Sequence, residues 1–354
     1  MPTKASEIAA DIRKNLTKRD SKNRFIVDVT LLSDNESSCV VDEWISTGCI
    51  VLDAIMGGGL PIGRMVEIYG SPSSGKSLIA AQIAATAQEN GYIVGYVDTE
   101  TAVSIPMMKK LGVNVDELIY TSPDSIEEVF AFFEEAMETR NRLDPTNILV
   151  LIWDSIASTS TLQEEGKEYG ETGYLDHARI ISQALRKIMR KFSKQRVAVL
   201  FLNQTRDKMG VMFGDKTATF GGKAVSFHAS IRVALTLAGK MKLPGKPPRI
   251  VGMDTTAKVV KNKVAMPFRE ATLPIYFGRA IDDTKASLKW LEDNGFITGA
   301  TRKELVLEKE TLSFKKPEWP AIYEEHFDEI ADMILASNDD GDDEGEVEIE
   351  DPEE

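Results

Sequence analysis

Eight residues constrain this chain more than any others: Gly70-Ser71-Pro72-Ser73-Ser74-Gly75-Lys76-Ser77. They fit G-x-x-x-x-G-K-[ST], follow the apolar run MVEIY and precede SLIAAQIAATAQ, a strand and a helix by pattern. That context calls for a parallel sheet covered by helices. The glycines let the backbone wrap around phosphate oxygens, and the helix start faces them with amide donors and a positive dipole end. Lys76 is expected to reach the β- and γ-phosphates and Ser77 to ligate Mg²⁺.

The rest of the chain keeps the same rhythm. Strand patterns fall at Met65–Tyr69, Tyr92–Asp98, Leu118–Thr121, Ile148–Trp153 and Val197–Asn203, with helical patterns such as Ile126–Arg140 and Asp176–Lys194 between them. Three more strand runs follow, Ser230–Ala238, Thr255–Asn262 and Glu270–Tyr276. The expected fold is α/β, a mostly parallel sheet flanked by helices. Four segments are expected: a polar arm at 1–36, a core at 37–278, a small mixed module at 279–337 and a disordered acidic tail at 338–354. Within the arm, Ala5–Lys18 reads as an amphipathic helix with Ile8, Ile12 and Leu16 on one narrow stripe. Near the C-terminus Pro320–Ala336 reads as one helix.

Composition excludes several classes. Apolar residues are 42% of 354, enough for a full core, so global disorder is ruled out. No run approaches the ~20 apolar residues of a membrane span. The N-terminus lacks the apolar stretch of a signal peptide. The two cysteines, Cys39 and Cys49, cannot make a disulfide framework, and no histidines sit beside them at metal spacing. A cytoplasmic location is expected. The net charge of −14 misleads, because residues 338–354 hold eleven carboxylates and no cation, and the remainder carries only −3.

Two strand ends add carboxylates. The apolar run from Ile148 ends in Asp154, which suits the acidic partner of a nucleotide-bound metal or an ordinary capping Asp. The strand before it ends Asp98-Thr99-Glu100, and Glu100 is either the group that polarises the attacking water or a solvated loop carboxylate. Residues 201–232 open with Asn203 and Gln204. They continue through a Gly-rich loop carrying Arg206, Lys208, Met209, Gly210, Phe213 and Lys216, then Gly221 and Gly222. Cations for phosphates and apolar groups for base steps make a single-strand binder, against a plain long surface loop. Upstream lies a second Gly-containing loop, Gln163–Tyr174. The next helix aligns Arg179, Ser182, Arg186 and Arg190 on one face, which taken alone is an ordinary solvated basic face. Lys261 and Lys263, two apart in VVKNKV, read by themselves as a charged strand edge.

Together these segments resemble one family. N-Q-x-R-x-K-x-G-V-M-F-G followed by G-G-K-A is similar to the second DNA-binding loop of bacterial RecA recombinases. The phosphate loop, LGVNVDELIYTSPDS, K-V-V-K-N-K-V-A-x-P-F and the entry segment Ser46–Arg64 follow the same family in the same order, over residues 44–282. The resemblance implies a RecA-like P-loop ATPase, a DNA-dependent enzyme that splits ATP with Mg²⁺. It forms a helical filament on single-stranded DNA and exchanges strands with homologous double-stranded DNA, helped by mediator and single-strand-binding proteins. It further implies Glu100 as the catalytic base, Gln204 as the γ-phosphate sensor, and Ser77 and Asp154 as the metal-site residues. Arg179, Ser182, Arg186, Arg206, Met209, Gly221 and Gly222 fall at DNA-contacting positions. Lys261 and Lys263 are implied to reach the ATP of the next subunit, and the 5–18 helix to pack on a neighbour.

The chain also departs from the family. Met107 stands where an adenine-stacking Tyr is usual, and Ser104 where an Asp is. Adenine selectivity is then weaker or supplied elsewhere, by residues such as Phe277 and Gly278. The short C-terminal module with its acidic tail suits the bacteriophage branch typified by UvsX. Two other classes share the core motifs: a hexameric helicase-like ring ATPase, and a non-catalytic recombinase paralogue that regulates assembly.

Overall fold

A computed structural model of the chain describes residues 41–165, 174–207, 217–245 and 247–337, with helical residues at 4, 7–12 and 14. The chain divides into two units, Met1–Glu43 and Trp44–Glu354. In the first, residues 7–12 fall inside the expected 5–18 helix.

The second unit opens with β1 (Trp44–Ile45), α1 (Ile50–Met56) and β2 (Leu60–Pro61). Next come β3 (Met65–Gly70), α2 (Lys76–Glu89), β4 (Ile93–Asp98), α3 (Ile105–Lys110), β5 (Ile119–Thr121) and α4 (Ile126–Leu143). They lead to β6 (Leu149–Asp154), α5 (Leu162–Glu165), α6 (Tyr174–Lys194), β7 (Val197–Asp207), β8 (Thr217–Thr219) and α7 (Gly222–His228). Three long strands follow, β9 (Ile231–Leu243), β10 (Arg249–Asn262) and β11 (Glu270–Tyr276). The end of the unit holds α8 (Asp283–Asp293), β12 (Ile297–Thr298), β13 (Lys303–Val306), β14 (Thr311–Phe314), α9 (Trp319–Glu325) and α10 (Phe327–Ala336).

One sheet carries the site. Its order is β11-β10-β9-β3-β7-β6-β4-β5, with β8 paired to the end of β7. The strands from β9 to β5 are parallel, and β10 runs antiparallel to both of its neighbours. Parallel strands buried on both faces read as continuous apolar runs, and the two-residue alternation sorts them. Leu149, Leu151 and Trp153 of β6 join Val197, Val199 and Phe201 of β7 on one face, under α4 and α6. Val150, Ile152, Ala198, Leu200 and Leu202 face the other way, under α2. On the first face Trp153 meets Phe201 edge-on at 5.1 Å between centroids and Phe133 at 6.4 Å. Burying each such ring contributes about 1.5–3 kcal/mol. α2 is sunk in the core on most sides, so small residues dominate it: Ala80, Ala81, Ala84, Ala85 and Ala87 are all buried. α4 starts on a reciprocal cap, with the Glu128 N–H donating to Ser125 Oγ at 3.3 Å and the Ser125 N–H to Glu128 Oε2 at 3.3 Å.

Residues 279–337 form α8, a three-stranded antiparallel sheet and two short helices. Their buried side chains, among them Trp290, Leu305, Phe314, Trp319 and Ile330, belong to the same apolar cluster as Leu52 and Ile55 of α1. Asp283 joins the two regions, accepting from the Ile50 N–H at 2.9 Å and from Tyr323 Oη at 2.6 Å.

Several boundaries differ from expectation. β7 runs four residues beyond Asn203, β9 five beyond Ala238, and β10 begins six before Thr255, because these strands continue as paired ribbons past the sheet edge. The expected single helix at Pro320–Ala336 is two, broken at His326 (φ −114°, ψ 26°) so that Tyr323 and Phe327 can meet edge-on at 5.5 Å. The expected tail at 338–354 lies outside the described residues.

Candidate active site

The phosphate loop joins β3 to α2, at the edge of the sheet where the parallel strands end. Gly75 adopts φ +96°, and a Cβ there would stand 2.6 Å from Ile275 Cδ1, so only glycine fits the turn. Thr255 Oγ1 donates to the Ser74 carbonyl at 3.2 Å and fixes the loop from behind. Lys76 is buried, with Nζ donating to the carbonyls of Ser71 at 2.8 Å and Gly70 at 3.1 Å. Burial pushes its pKa down, and the carboxylates of Asp154 and Glu100 oppose that shift. A cation held inside a glycine turn at a helix start is a donor set for polyphosphate.

Asp154 ends β6, and Tyr96 Oη donates to its Oδ2 at 3.0 Å. Burial raises the Asp154 pKa, while hydrogen bonds from Ser77 and Tyr96 pull it down. Ser77 and Asp154 thus stand together where a cation would sit. Among the described residues no three His, Cys, Asp or Glu side chains converge on a metal position. A cation here therefore needs the phosphates of its nucleotide as further ligands, which suits Mg²⁺.

Glu100 follows β4, and its Oε1 accepts from Gln204 Nε2 at 2.9 Å and from Ser155 Oγ at 2.6 Å. The two strand-end residues singled out in the sequence, 104 positions apart, are direct partners. Gln204 is placed by Asn203, whose Oδ1 accepts the Gln204 N–H at 2.9 Å and the Phe220 N–H at 3.2 Å. Asn203 Nδ2 donates to the buried Glu67 at 2.9 Å, and Glu67 is paired with Arg232 Nε at 2.5 Å. This buried network ties β3, β7 and β9 to the foot of the 208–216 loop.

That loop lies outside the described residues, and with it Lys208, Met209, Gly210 and Phe213. Its two legs are β7 and β8, paired through Thr205–Thr219 and Asp207–Thr217. Beside the legs is a cavity of about 400 Å³, lined by Arg206, Gly221 and Gly222 together with Ser158, Thr159, Glu164 and His177. The Arg206 guanidinium lies 3.3 Å over the Phe220 ring centre. Gly221 adopts φ +80°, and a Cβ there would stand 2.8 Å from Val225 Cγ2. On α6, Ile181, Leu185, Ile188 and Phe192 form the buried stripe, while Arg179 and Arg186 are exposed and Ser182 is half-buried.

Met107 is half-buried on α3 and lines a cleft of about 200 Å³ with Ser77, Tyr96, Ser104 and Asp154. Gly278 lies across from α3, where its Cβ would be 4.0 Å from Lys110 Cδ, and Phe277 beside it is exposed. Lys261 and Lys263 stand elsewhere. Lys261 ends β10 next to Asn262, which pairs with Ile231 at the start of β9, level with Val66 at the start of β3. The lysines are therefore at the opposite edge of the sheet from Gly70. Both donate to the Phe227 carbonyl at 3.0 Å, at the C-terminal end of α7, which attracts cations. Burial, helped by the Lys263 charge, pushes the Lys261 pKa down to about 8.

The sequence assigns no role of their own to Tyr96, Asp98, Thr99, Ser155, Glu67 and Arg232. Asp98 Oδ2 accepts from the Val103 N–H at 2.9 Å and from Tyr120 Oη at 3.1 Å, and so shapes the turn that presents Glu100. The D-T-E and D-S pairs at two strand ends were the available signal. Glu67 and Arg232 gave none, because each sits in a strand that reads as core.

Comparison with known proteins agrees with this geometry. The model of the RecA N-terminal domain matches residues 14–282. The chain is 40% identical over 253 residues to Protein RecA of Colwellia psychrerythraea, covering 71% of this chain and 70% of that one. It is 41% identical over 249 residues to Protein RecA of Thioalkalivibrio sulfidiphilus, covering 70% of each. Against Protein RecA of Cereibacter sphaeroides it is 40% identical over 243 residues, 68% of each chain. These relatives are bacterial. With its phosphate loop, paired strand-end carboxylate and glutamine, and loop legs in that order, the chain belongs to the RecA family.

Proposed function

We propose that Lys76, Ser77, Asp154, Glu100 and Gln204 carry the ATP hydrolysis of this DNA-dependent ATPase, an ATP-dependent DNA recombinase that binds DNA and self-associates into filaments. The observation that carries the reading is the Gln204–Glu100 hydrogen bond at 2.9 Å. It joins a residue on the leg of the DNA loop to the group that handles the water.

The roles follow from chemistry. The phosphate loop and Lys76 bind and orient the polyphosphate, residues 70–75 through their backbone, with N–H donors at every position but Pro72. Mg²⁺, when bound, neutralises charge between phosphate oxygens, and Ser77 with Asp154 beside it would hold it. Glu100 takes the proton of the attacking water at its carboxylate. Gln204 senses the γ-phosphate with its side-chain amide, which biases the 205–220 segment through β7. Arg179, Ser182, Arg186, Arg206, Gly221 and Gly222 contact the DNA backbone, and Lys208, Met209, Gly210 and Phe213 read stacking in the loop. Met107, Phe277 and Gly278 border the base.

Lys261 and Lys263 serve the nucleotide of the next subunit. The strand register supports this, because β3 rises four steps from Val66 to Gly70, or about 13 Å at ~3.3 Å each, between the lysines' edge and their own phosphate loop. The 1–36 arm completes the contact between subunits, ahead of a 37–278 core, a 279–337 module and a 338–354 tail. Mediator and single-strand-binding proteins assist, in the cytoplasm. No helix among the described residues is long and apolar enough to cross a membrane.

The test is Glu100→Gln. Turnover with single-stranded DNA should fall about 10²–10⁴-fold while nucleotide and DNA binding persist. Wild-type turnover in this variant would overturn the assignment.

A further inference from the structure

Ser155 follows Asp154 and is fully buried. Its Oγ is 2.6 Å from Glu100 Oε1, the length of a strong hydroxyl–carboxylate bond. The serine is itself fixed from three sides. Its N–H donates to Thr99 Oγ1 at 3.1 Å. Its carbonyl accepts from Ser158 Oγ at 3.0 Å and Thr159 Oγ1 at 2.9 Å. These bonds fix the Ser155 backbone before any ligand arrives, and Ser158 Oγ, 3.2 Å from Ser155 Oγ, leaves the Ser155 proton to point at Glu100.

Glu100 needs such a partner. It is exposed on the segment after β4, where a long carboxylate side chain loses rotamer freedom when it is aimed. A general base must be aimed within hydrogen-bond reach of its proton. Gln204 also donates to Oε1, at 2.9 Å. In the sensor role, however, the same amide turns to the γ-phosphate and gives up Glu100. Ser155 is the side-chain donor that stays.

We propose that Ser155 is the positioning residue for hydrolysis, holding the Glu100 carboxylate through Oγ while Gln204 exchanges between Glu100 and the nucleotide. This rests on Glu100 being the base. No bond is made or broken at Ser155; its proton stays on Oγ and orients the acceptor.

The experiment measures kcat and KM for ATP, single-stranded DNA affinity and thermal unfolding in the full chain. The variants are Ser155→Ala, Ser155→Cys, Glu100→Gln and the Glu100→Gln/Ser155→Ala double. Loss of aim should lower kcat in Ser155→Ala about 10- to 100-fold, with KM and DNA affinity changed less than about twofold. Ser155→Cys, close in size with a weak donor, should fall between, and it carries the test if the alanine variant unfolds. In the Glu100→Gln background Ser155→Ala should cost nothing further. A Ser155→Ala enzyme within about twofold of wild-type kcat, beside a dead Glu100→Gln, overturns the positioning role alone. Parallel loss of kcat, ATP binding and DNA affinity overturns it as well, by showing a merely structural serine. Full turnover in Glu100→Gln removes the base and this inference together.

Discussion

At the residue scale the molecule places charges against their environment and uses hydrogen bonds to hold them. Lys261 is the clearest case, with its ammonium pKa pushed down to about 8 by burial and the neighbouring Lys263. The folded chain therefore holds this proton less tightly than the unfolded chain does. The cost of burying this ammonium is present in full below about pH 8 and is relieved as pH rises from about 8 toward the ordinary 10.5, because over that window the unfolded state binds more protons. The positive charge, which the proposed role offers to a neighbour's phosphate, disappears between about pH 7 and pH 9. ATP-dependent assembly, followed by light scattering, should weaken from pH 7 to 9, and Lys261→Arg should flatten the slope because a guanidinium stays charged. An unchanged slope in that variant would mean that another group sets it. The phosphate loop was legible in the sequence, because eight consecutive residues and their flanks define it. The Glu100–Gln204 bond was legible only as two separate strand ends, and Ser155 was hidden as an ordinary serine after an aspartate. What makes it distinctive is its bonds to Thr99 and Glu100, which folding brings in from the neighbouring strand end.

At the scale of elements, the network of Glu67, Asn203 and Arg232 fixes where the legs β7 and β8 start. Glu67 is fully buried and Arg232 half-buried, with side-chain exposures of 0% and 17%. Removing one partner leaves a buried charge, so Arg232→Ala should destabilise by about 3–5 kcal/mol in urea unfolding. The double variant Glu67→Gln/Arg232→Met should recover most of that loss. A cost below about 1 kcal/mol for Arg232→Ala would mean that water already reaches Glu67. The strands themselves were readable from their apolar runs, and Glu270–Tyr276 was placed with both ends correct. Ribbons beyond the sheet edge were not, since Gly239, Pro244, Gly245, Pro247, Pro248 and Gly252 punctuate that stretch as a loop, and the pairing of β9 with β10 supplies the order. The break at His326 was equally silent, as E-E-H-F-D-E holds neither Gly nor Pro.

At the scale of the whole molecule, the length of the strands separates the phosphate loop from Lys261 and Lys263. The phosphate loop, Glu100 and Gln204 occupy one edge, and Lys261 with Lys263 the other. With the proposed role of the lysines, such a monomer would join head to tail, and a heterologous contact that does not close gives a filament. Mixing follows as a test. Glu100→Gln and Lys261→Ala subunits, each inactive alone, should regain part of the turnover when combined, because some interfaces then pair an intact base with an intact lysine. No recovery at any ratio would put the lysines outside the active site. Family membership was legible in the ordered motifs, since they span most of the core. The edge-to-edge separation was not, because it depends on strand register rather than on composition.

The central claim is that one glutamine and its strand couple the phosphate loop to the DNA loop. It is tested most directly by ATP hydrolysis with and without single-stranded DNA, beside Lys76→Ala. Strong stimulation by DNA is expected in the wild-type chain, and its loss in Lys76→Ala. Turnover that ignores DNA would contradict it, leaving the phosphate loop and the 203–222 segment as unconnected sites.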